Sequence, residues 1–322
     1  MKKQVVKGFI FNRKAIAEER KQKKRKKIVS RCFRAALIVA IVALGVESYK
    51  FLGILNIFDN NIVLSSSSPE HTLGVLVLGL DKDGVKKGNA GHTDSITYIA
   101  ANMKTNKAYA LPIYRDTNIP FVCGDGGDNI NRIYAQKGIK CLAESTSAFL
   151  DLPINKYITI TMEGFIDIIS ALDSVSLIPD ETFCSHYGIN EDQTYCFEAG
   201  VRSEMNADEA MAYTRYRGGG NGEARANRQL GIINAVKDRC FSNGLACYHK
   251  VSDQLSHAVK MNFSPSDVLE LLPILSDDFA LESLKVLRVR NVELSAGNWT
   301  AYVNETDKAD KTALIRDEIF VE

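Results

Sequence analysis

The stretch Ala210 to Gly231, AMAYTRYRGGGNGEARANRQLG, concentrates the chemistry that this sequence can offer. Arg215 and Arg217 precede a glycine-rich turn at Gly218–Gly222, and Arg225 and Arg228 follow it. A guanidinium is always charged and presents a planar fork of donors that matches phosphate oxygens. Arg225, Arg228 and Gln229 stand at i, i+3 and i+4, so a helix carries them on one face. They also fall near that helix's N-terminal end, where backbone N–H groups attract anions. The hairpin therefore reads as a clamp for a pyrophosphate. Arg215 and Arg217 have a plainer account, since cations gather at helix C-termini for dipole reasons. That account serves Arg225 and Arg228 poorly, because their charge opposes the dipole at a helix start.

Two aspartates could complete such a site. Asp81 follows the apolar run Leu73–Leu80, and Asp94 opens the run Ser95–Ala101. If those runs are paired strands, both carboxylates reach the same end of the sheet. Paired hard oxygens suit Mg²⁺, which binds through one or two carboxylates plus substrate phosphates. The alternative is two ordinary loop aspartates. Arg115–Asp116 ends the next strand-like run and could reach the same ligand, or could be a surface ion pair worth little. A G-x-S-x-G elbow and a G-x-x-x-x-G-K-[ST] loop are both missing, and the five histidines lack zinc-site spacing.

The elements that must position these residues follow from periodicity. Leu73–Leu80, Ser95–Ala101 and Lys107–Tyr114 read as three strands in a meander, the first apolar enough to be buried on both faces. Arg132–Gly138 and Cys141–Leu150 read as helical, Tyr157–Met162 as a strand, Glu163–Leu172 as a helix and Val175–Ile178 as a short strand. Asn206 with Glu209 forms a capping box. Glu223–Phe241 is the next helix, and Leu284–Val289 reads as a strand near the C-terminus. Strands and helices mix without strict alternation, which allows α/β or α+β with a mixed sheet.

Charge divides the chain. Residues 1–34 hold 14 Lys/Arg against Glu18 and Glu19, whereas the remainder is acidic. The basic tail runs into the apolar segment Ala35–Val46, extended weakly to residue 55. This predicts a cytoplasmic tail (1–34) and a transmembrane signal anchor (35–55), with everything after it outside the cell membrane. A cleavable signal peptide is the rival, with Ala43–Gly45 as its processing site. A basic arm can also bind nucleic acid, but its place against an apolar run favours membrane topology, and nucleic acid is not an expected partner. Residues 56–72 are polar and serine-rich, a linker. Six cysteines lie in the expected outside region, and pairing neighbours in sequence would close three short loops, with Cys184/Cys196 flanking a hairpin-like segment. Buried free thiols are the alternative.

Taken in order, VLVLGLD, HTDSITYIA, IYRDT, INRIYAQKG, ADEAMAYTRYR and RANRQ resemble the LytR–CpsA–Psr cell-wall phosphotransferases from about Leu73 to Val236. The resemblance implies an α/β catalytic domain over 73–236, with a mixed central sheet flanked by helices, and leaves 237–322 as a C-terminal extension. It implies transfer of a phosphate-linked glycan from a polyprenyl-pyrophosphate carrier to a wall hydroxyl, usually of peptidoglycan, with Mg²⁺ as cofactor. Asp81 and Asp94 match the family's metal-associated aspartates. Arg115, Arg215, Arg217, Arg225, Arg228 and Gln229 match its pyrophosphate set. Asp94, Arg115 and Arg228 become the catalytic group, with Asp94 favoured over Asp116 to accept the hydroxyl proton. His92 and Asn129 stand where the family usually has arginine and lysine. The competing readings are a membrane-anchored receptor for phosphorylated lipid or polymer, and a lipid-pyrophosphate hydrolase.

Overall fold

A computed structural model describes residues 57–59, 61–80, 91–190, 192–216, 222–243, 245–264, 267, 280–295 and 298–321. The expected tail and membrane segment, together with Asp81 and Arg217, lie outside the described residues.

The expected meander is present. Strands β1 (Thr72–Leu80), β2 (Thr93–Asn102) and β3 (Lys107–Pro112) pair antiparallel in sequence order. A small ribbon follows, β4 (Asn118–Pro120) with β5 (Gly127–Asn129). Helix α1 (Ile130–Leu150) merges the two expected helices, and Gly138 marks their junction with φ of 80°, which glycine adopts without steric cost. Strand β6 (Lys156–Thr161) then pairs parallel with β1.

Helix α2 (Met162–Ala171) is capped by Thr161, whose side chain accepts from the Gly164 backbone N–H. Next come β7 (Val175–Leu177), the hairpin β8 (Phe183–Ser185) and β9 (Tyr195–Phe197), and β10 (Ser203–Met205), which returns to β7. Helix α3 (Ala207–Arg215) opens with the Asn206/Glu209 capping box, both reciprocal bonds formed. Helices α4 (Gly222–Asn243) and α5 (Leu245–Ala258) follow, and β11 (Val259–Met261) joins the free side of β6. A Cβ on Gly164 would meet that of Ala258 at 2.1 Å, so glycine is what lets α2 and α5 close on one another.

The expected strand at Leu284–Val289 is displaced to both sides. Strand β12 (Ala280–Ser283) pairs parallel with β3, and β13 (Val289–Ser295) forms a hairpin with β14 (Asn298–Val303). Between them Leu287 is an anchor in the core, 1% exposed, so its apolar neighbours signalled burial rather than pairing. Helix α6 (Glu305–Ile319) ends the fold. The resulting sheet, β11-β6-β1-β2-β3-β12, is mixed. Its two edge strands come from beyond residue 236, so the expected extension is part of the central layer.

Alternation along the strands separates two cores. Leu76, Leu78, Tyr98 and Leu111 point to one face, with α1 and α6. Ile158, Ile160 and Val259 point to the other, with α2 to α5 and the β8–β9 hairpin.

The six cysteines of the described region pair as sequence neighbours: Cys123–Cys141, Cys184–Cys196 and Cys240–Cys247.

Candidate functional site

Asp94 sits at an irregularity in the β1–β2 ladder. Gly79 pairs with Ser95 and Leu80 with Thr93, so Asp94 has no residue opposite it. Such a bulge re-aims a side chain and frees its carbonyl from the ladder. Asp94 uses both freedoms. Its Oδ1 accepts from Arg115 Nη1 at 2.7 Å, and its backbone oxygen accepts from Arg225 Nη2 at 3.3 Å. Beside it, Ser95 Oγ donates to Gln229 Oε1 at 2.7 Å. The start of β2, the loop after β3 and the first turns of α4 therefore converge on one point.

The loop after β3 is itself held from two sides. The Arg115 carbonyl accepts from the Asn131 N–H at the start of α1, and the Asp116 carbonyl accepts from the Ala301 N–H on β14. The Asp116 carboxylate lies 3.6 Å from Arg115 Nε. Burial works against the Arg115 charge, but Asp94 and Asp116 outweigh it and hold the guanidinium above the ordinary arginine range.

Arg228 has a different setting. It is 5% exposed, and its Nη2 donates to the Tyr216 carbonyl at 2.7 Å. Its guanidinium carbon lies 5.1 Å from the Phe183 ring centre and 5.3 Å from that of Tyr216, two rings stacked 4.2 Å apart. Nη1 faces Glu181 Oε2 at 3.4 Å, and Nε is buried without a hydrogen-bond partner among the described residues. Burial pulls the Arg228 pKa below the ordinary arginine range, with Glu181 opposing. An adjoining cleft of about 260 Å³ is lined by Asp180, Glu181, Phe183, Asn227, Arg228 and Lys285, among others.

The structure thus gathers Asp94, Arg115, Arg225 and Gln229, and places Arg228 on the same helix but turned toward the ring pair. Positions i+3 and i+4 lie about 100° apart around a helix, enough for Arg228 and Gln229 to meet different neighbours. Arg215 ends α3 half-buried, and no hydrogen bond or ion pair joins it to this group among the described residues. His92 is exposed, while Asn129 is buried and spends its Nδ2 on the Trp299 carbonyl at 2.6 Å.

Ser95, Glu181, Phe183, Tyr216 and Lys285 were not singled out by the sequence. Ser95 could have been, as the neighbour of Asp94 on the opposite strand face. Glu181 and Lys285 carried no signal. As for a metal, Asp94 offers hard carboxylate oxygen with one atom engaged by Arg115, a donor set that suits Mg²⁺ only with substrate phosphates completing it. No cluster of three or more His, Cys, Asp or Glu occurs among the described residues.

Comparison with known proteins agrees with this architecture. A polyisoprenyl-teichoic acid–peptidoglycan teichoic acid transferase, TagV of Bacillus subtilis, is 27% identical over 299 residues, covering 88% of this chain and 76% of the relative. TagU of Bacillus cereus, of the same description, is 29% identical over 269 residues, covering 82% and 84%. Among solved structures, TagT bound to LI-WTA aligns with a TM-score of 0.64 at 21% identity, covering 81% of this chain and 100% of that one. YwtF (TagT) with bound octaprenyl pyrophosphate lipid aligns with a TM-score of 0.61 at 20% identity, with the same coverage. At such identities the structures speak for the fold. The LytR_cpsA_psr family model matches residues 53–316, most of the length and both edge strands of the sheet, and the chain belongs to that family.

Proposed function

We propose that this protein transfers a phosphate-linked glycopolymer from a polyprenyl-pyrophosphate carrier to a hydroxyl of the cell wall, peptidoglycan being the expected acceptor. The observation that carries the reading is the junction at Asp94, where Arg115, Arg225 and the Ser95–Gln229 pair meet at the end of one strand. Two guanidinium groups there, with Arg228 further along α4, supply the fixed positive charge that phosphoryl transfer needs. The names of the teichoic acid transferase relatives and the octaprenyl pyrophosphate in a structural neighbour support the same substrate class.

In this scheme the arginines bind and orient the pyrophosphate. A wall hydroxyl attacks the phosphorus on the sugar side, its proton passes to Asp94 or Asp116, and the polyprenyl phosphate leaves. Mg²⁺, held by Asp94 with Asp81, would neutralise charge on the phosphate oxygens when bound. Arg215 and Arg217 belong to the same proposed set. An uncleaved N-terminal anchor, with the globule outside the cell membrane, would keep the site near a lipid carrier.

The test is full-length protein in proteoliposomes with a labelled polyprenyl-pyrophosphate glycan, Mg²⁺ and peptidoglycan. Label appearing on the wall polymer supports the proposal. Release of free glycan phosphate would identify a hydrolase, and retention without chemistry a receptor.

A further inference from the structure

The cation in the ring pair is already engaged by an anion of the protein itself. We infer that Glu181 is an internal competitor for Arg228, seated on the guanidinium in the free protein and displaced when a diphosphate binds; this rests on the proposed pyrophosphate site. Four observations carry it. Arg228 is fixed, because Nη2 is bound to the Tyr216 carbonyl and the guanidinium lies against two stacked rings. Arg228 is also incompletely compensated, since it is 5% exposed and its Nε has no hydrogen-bond partner among the described residues. Glu181, by contrast, is held by a long contact of 3.4 Å, and its side chain is 56% exposed. It also lines the cleft through which a ligand would reach Arg228.

Of the two partners, only the carboxylate can move at small cost, because an exposed acid regains water when it swings out. A buried guanidinium left without an anion does not. An arriving phosphate group therefore replaces the carboxylate, and the carboxylate returns as the ligand leaves. Asp180 lines the same cleft and adds charge of the same sign without reaching Nη1 in the described contacts.

Displacement has a signature that simple repulsion lacks. The cost of moving Glu181 aside does not depend on which anion arrives, so removing it improves all ligands of that site by one factor. Long-range repulsion scales with ligand charge instead. The experiment is calorimetric titration of the full-length protein in detergent with inorganic pyrophosphate and, separately, orthophosphate. Glu181→Gln is expected to tighten both by the same factor, about 2- to 5-fold for an exposed ion pair. Arg228→Lys should weaken both, and the melting temperature of Glu181→Gln should match that of the unsubstituted protein.

Unchanged or weaker binding by Glu181→Gln would overturn the inference. So would a larger gain for pyrophosphate than for orthophosphate, or an Arg228→Lys protein that binds as before. If the unsubstituted protein binds no pyrophosphate, the proposed function falls and this inference with it. Pyrophosphate binding that depends on Arg228 but ignores Glu181 removes the inference alone.

Discussion

The two sides of the sheet deliver arginines of opposite character. At the end of β3, beside the start of α1, Arg115 is half-exposed and flanked by Asp94 and Asp116. On the side of α2 to α5, Arg228 is sunk among Phe183 and Tyr216, with Glu181 as its ion-pair partner among the described residues. Arg115 is over-supplied with anions and its pKa is raised; Arg228 is under-supplied and its pKa is lowered. An incoming phosphate would find the first cation shared with carboxylates at the junction and the second rigid and lightly covered. The same residue type therefore does two jobs, ordering carboxylates on one side and presenting a preorganised charge on the other.

Substitution separates those jobs. Arg115→Ala should lower transfer by roughly 10²- to 10³-fold, the scale of losing one aimed donor at a developing charge. It also leaves Asp94 and Asp116 unopposed. Because Arg115 lies in a loop anchored through its backbone, the melting temperature should shift by only a few degrees. Transfer assays beside thermal melts check both halves; a large loss of stability would mean that Arg115 is structural. Arg228→Ala should instead damage both properties. Removing a buried side chain from a stacked pair and its carbonyl bond should cost about 2–4 kcal/mol of stability. Chemical denaturation reads this directly, and a native midpoint would show that the second side does not depend on its cation.

A smaller effect is expected at the hairpin that supplies Phe183. Cys184–Cys196 closes β8 against β9, and Phe183, next to Cys184, stacks on Tyr216. Replacing both cysteines by serine should cost about 2–3 kcal/mol, as expected for a short loop. Transfer should fall with stability as Phe183 loosens against Arg228. The matching change at Cys123–Cys141, on the other side, should lower stability with little effect on transfer by the folded fraction. Equal loss of transfer from both would erase the distinction between the sides.

Legibility in the sequence follows the same division. The Asp94–Arg115 side was largely readable, because it depends on a local meander and on residues at strand ends. The capping box at Asn206 and the hairpin between Cys184 and Cys196 were readable for the same reason: each signal spans a few residues. Arg228's surroundings were not. Glu181 and Phe183 precede it by more than forty positions, and nothing in their local pattern announces a cation. The parallel pairings of β1 with β6 and of β3 with β12 were hidden likewise, since periodicity states that a strand is buried but not beside what.

Acid titration offers the finest separation of the two sides. Asp307, in the first turn of α6, accepts from the Arg288 N–H at 2.8 Å and from Lys311 Nζ at 2.7 Å. Burial raises its proton affinity, but those donors and the Arg288 charge outweigh it, so its pKa lies below the ordinary range. A carboxylate depressed in the folded state contributes stability that is complete above its unfolded pKa, about 3.9, and fades as pH falls through the folded value. Asp307→Asn should therefore cost about 1.5–3 kcal/mol near neutral pH, the scale of a hydrogen bond to a charged group, and progressively less below about pH 4. Asp173, on the other side, is also depressed by its bond to Lys250, yet that pair is open to solvent. Asp173→Asn should leave the melting curve unchanged across the same range. Melts from pH 7 down to pH 3 for both variants decide the matter. A pH-independent deficit at Asp307 would mean that its hydrogen bonds act through geometry and not through charge.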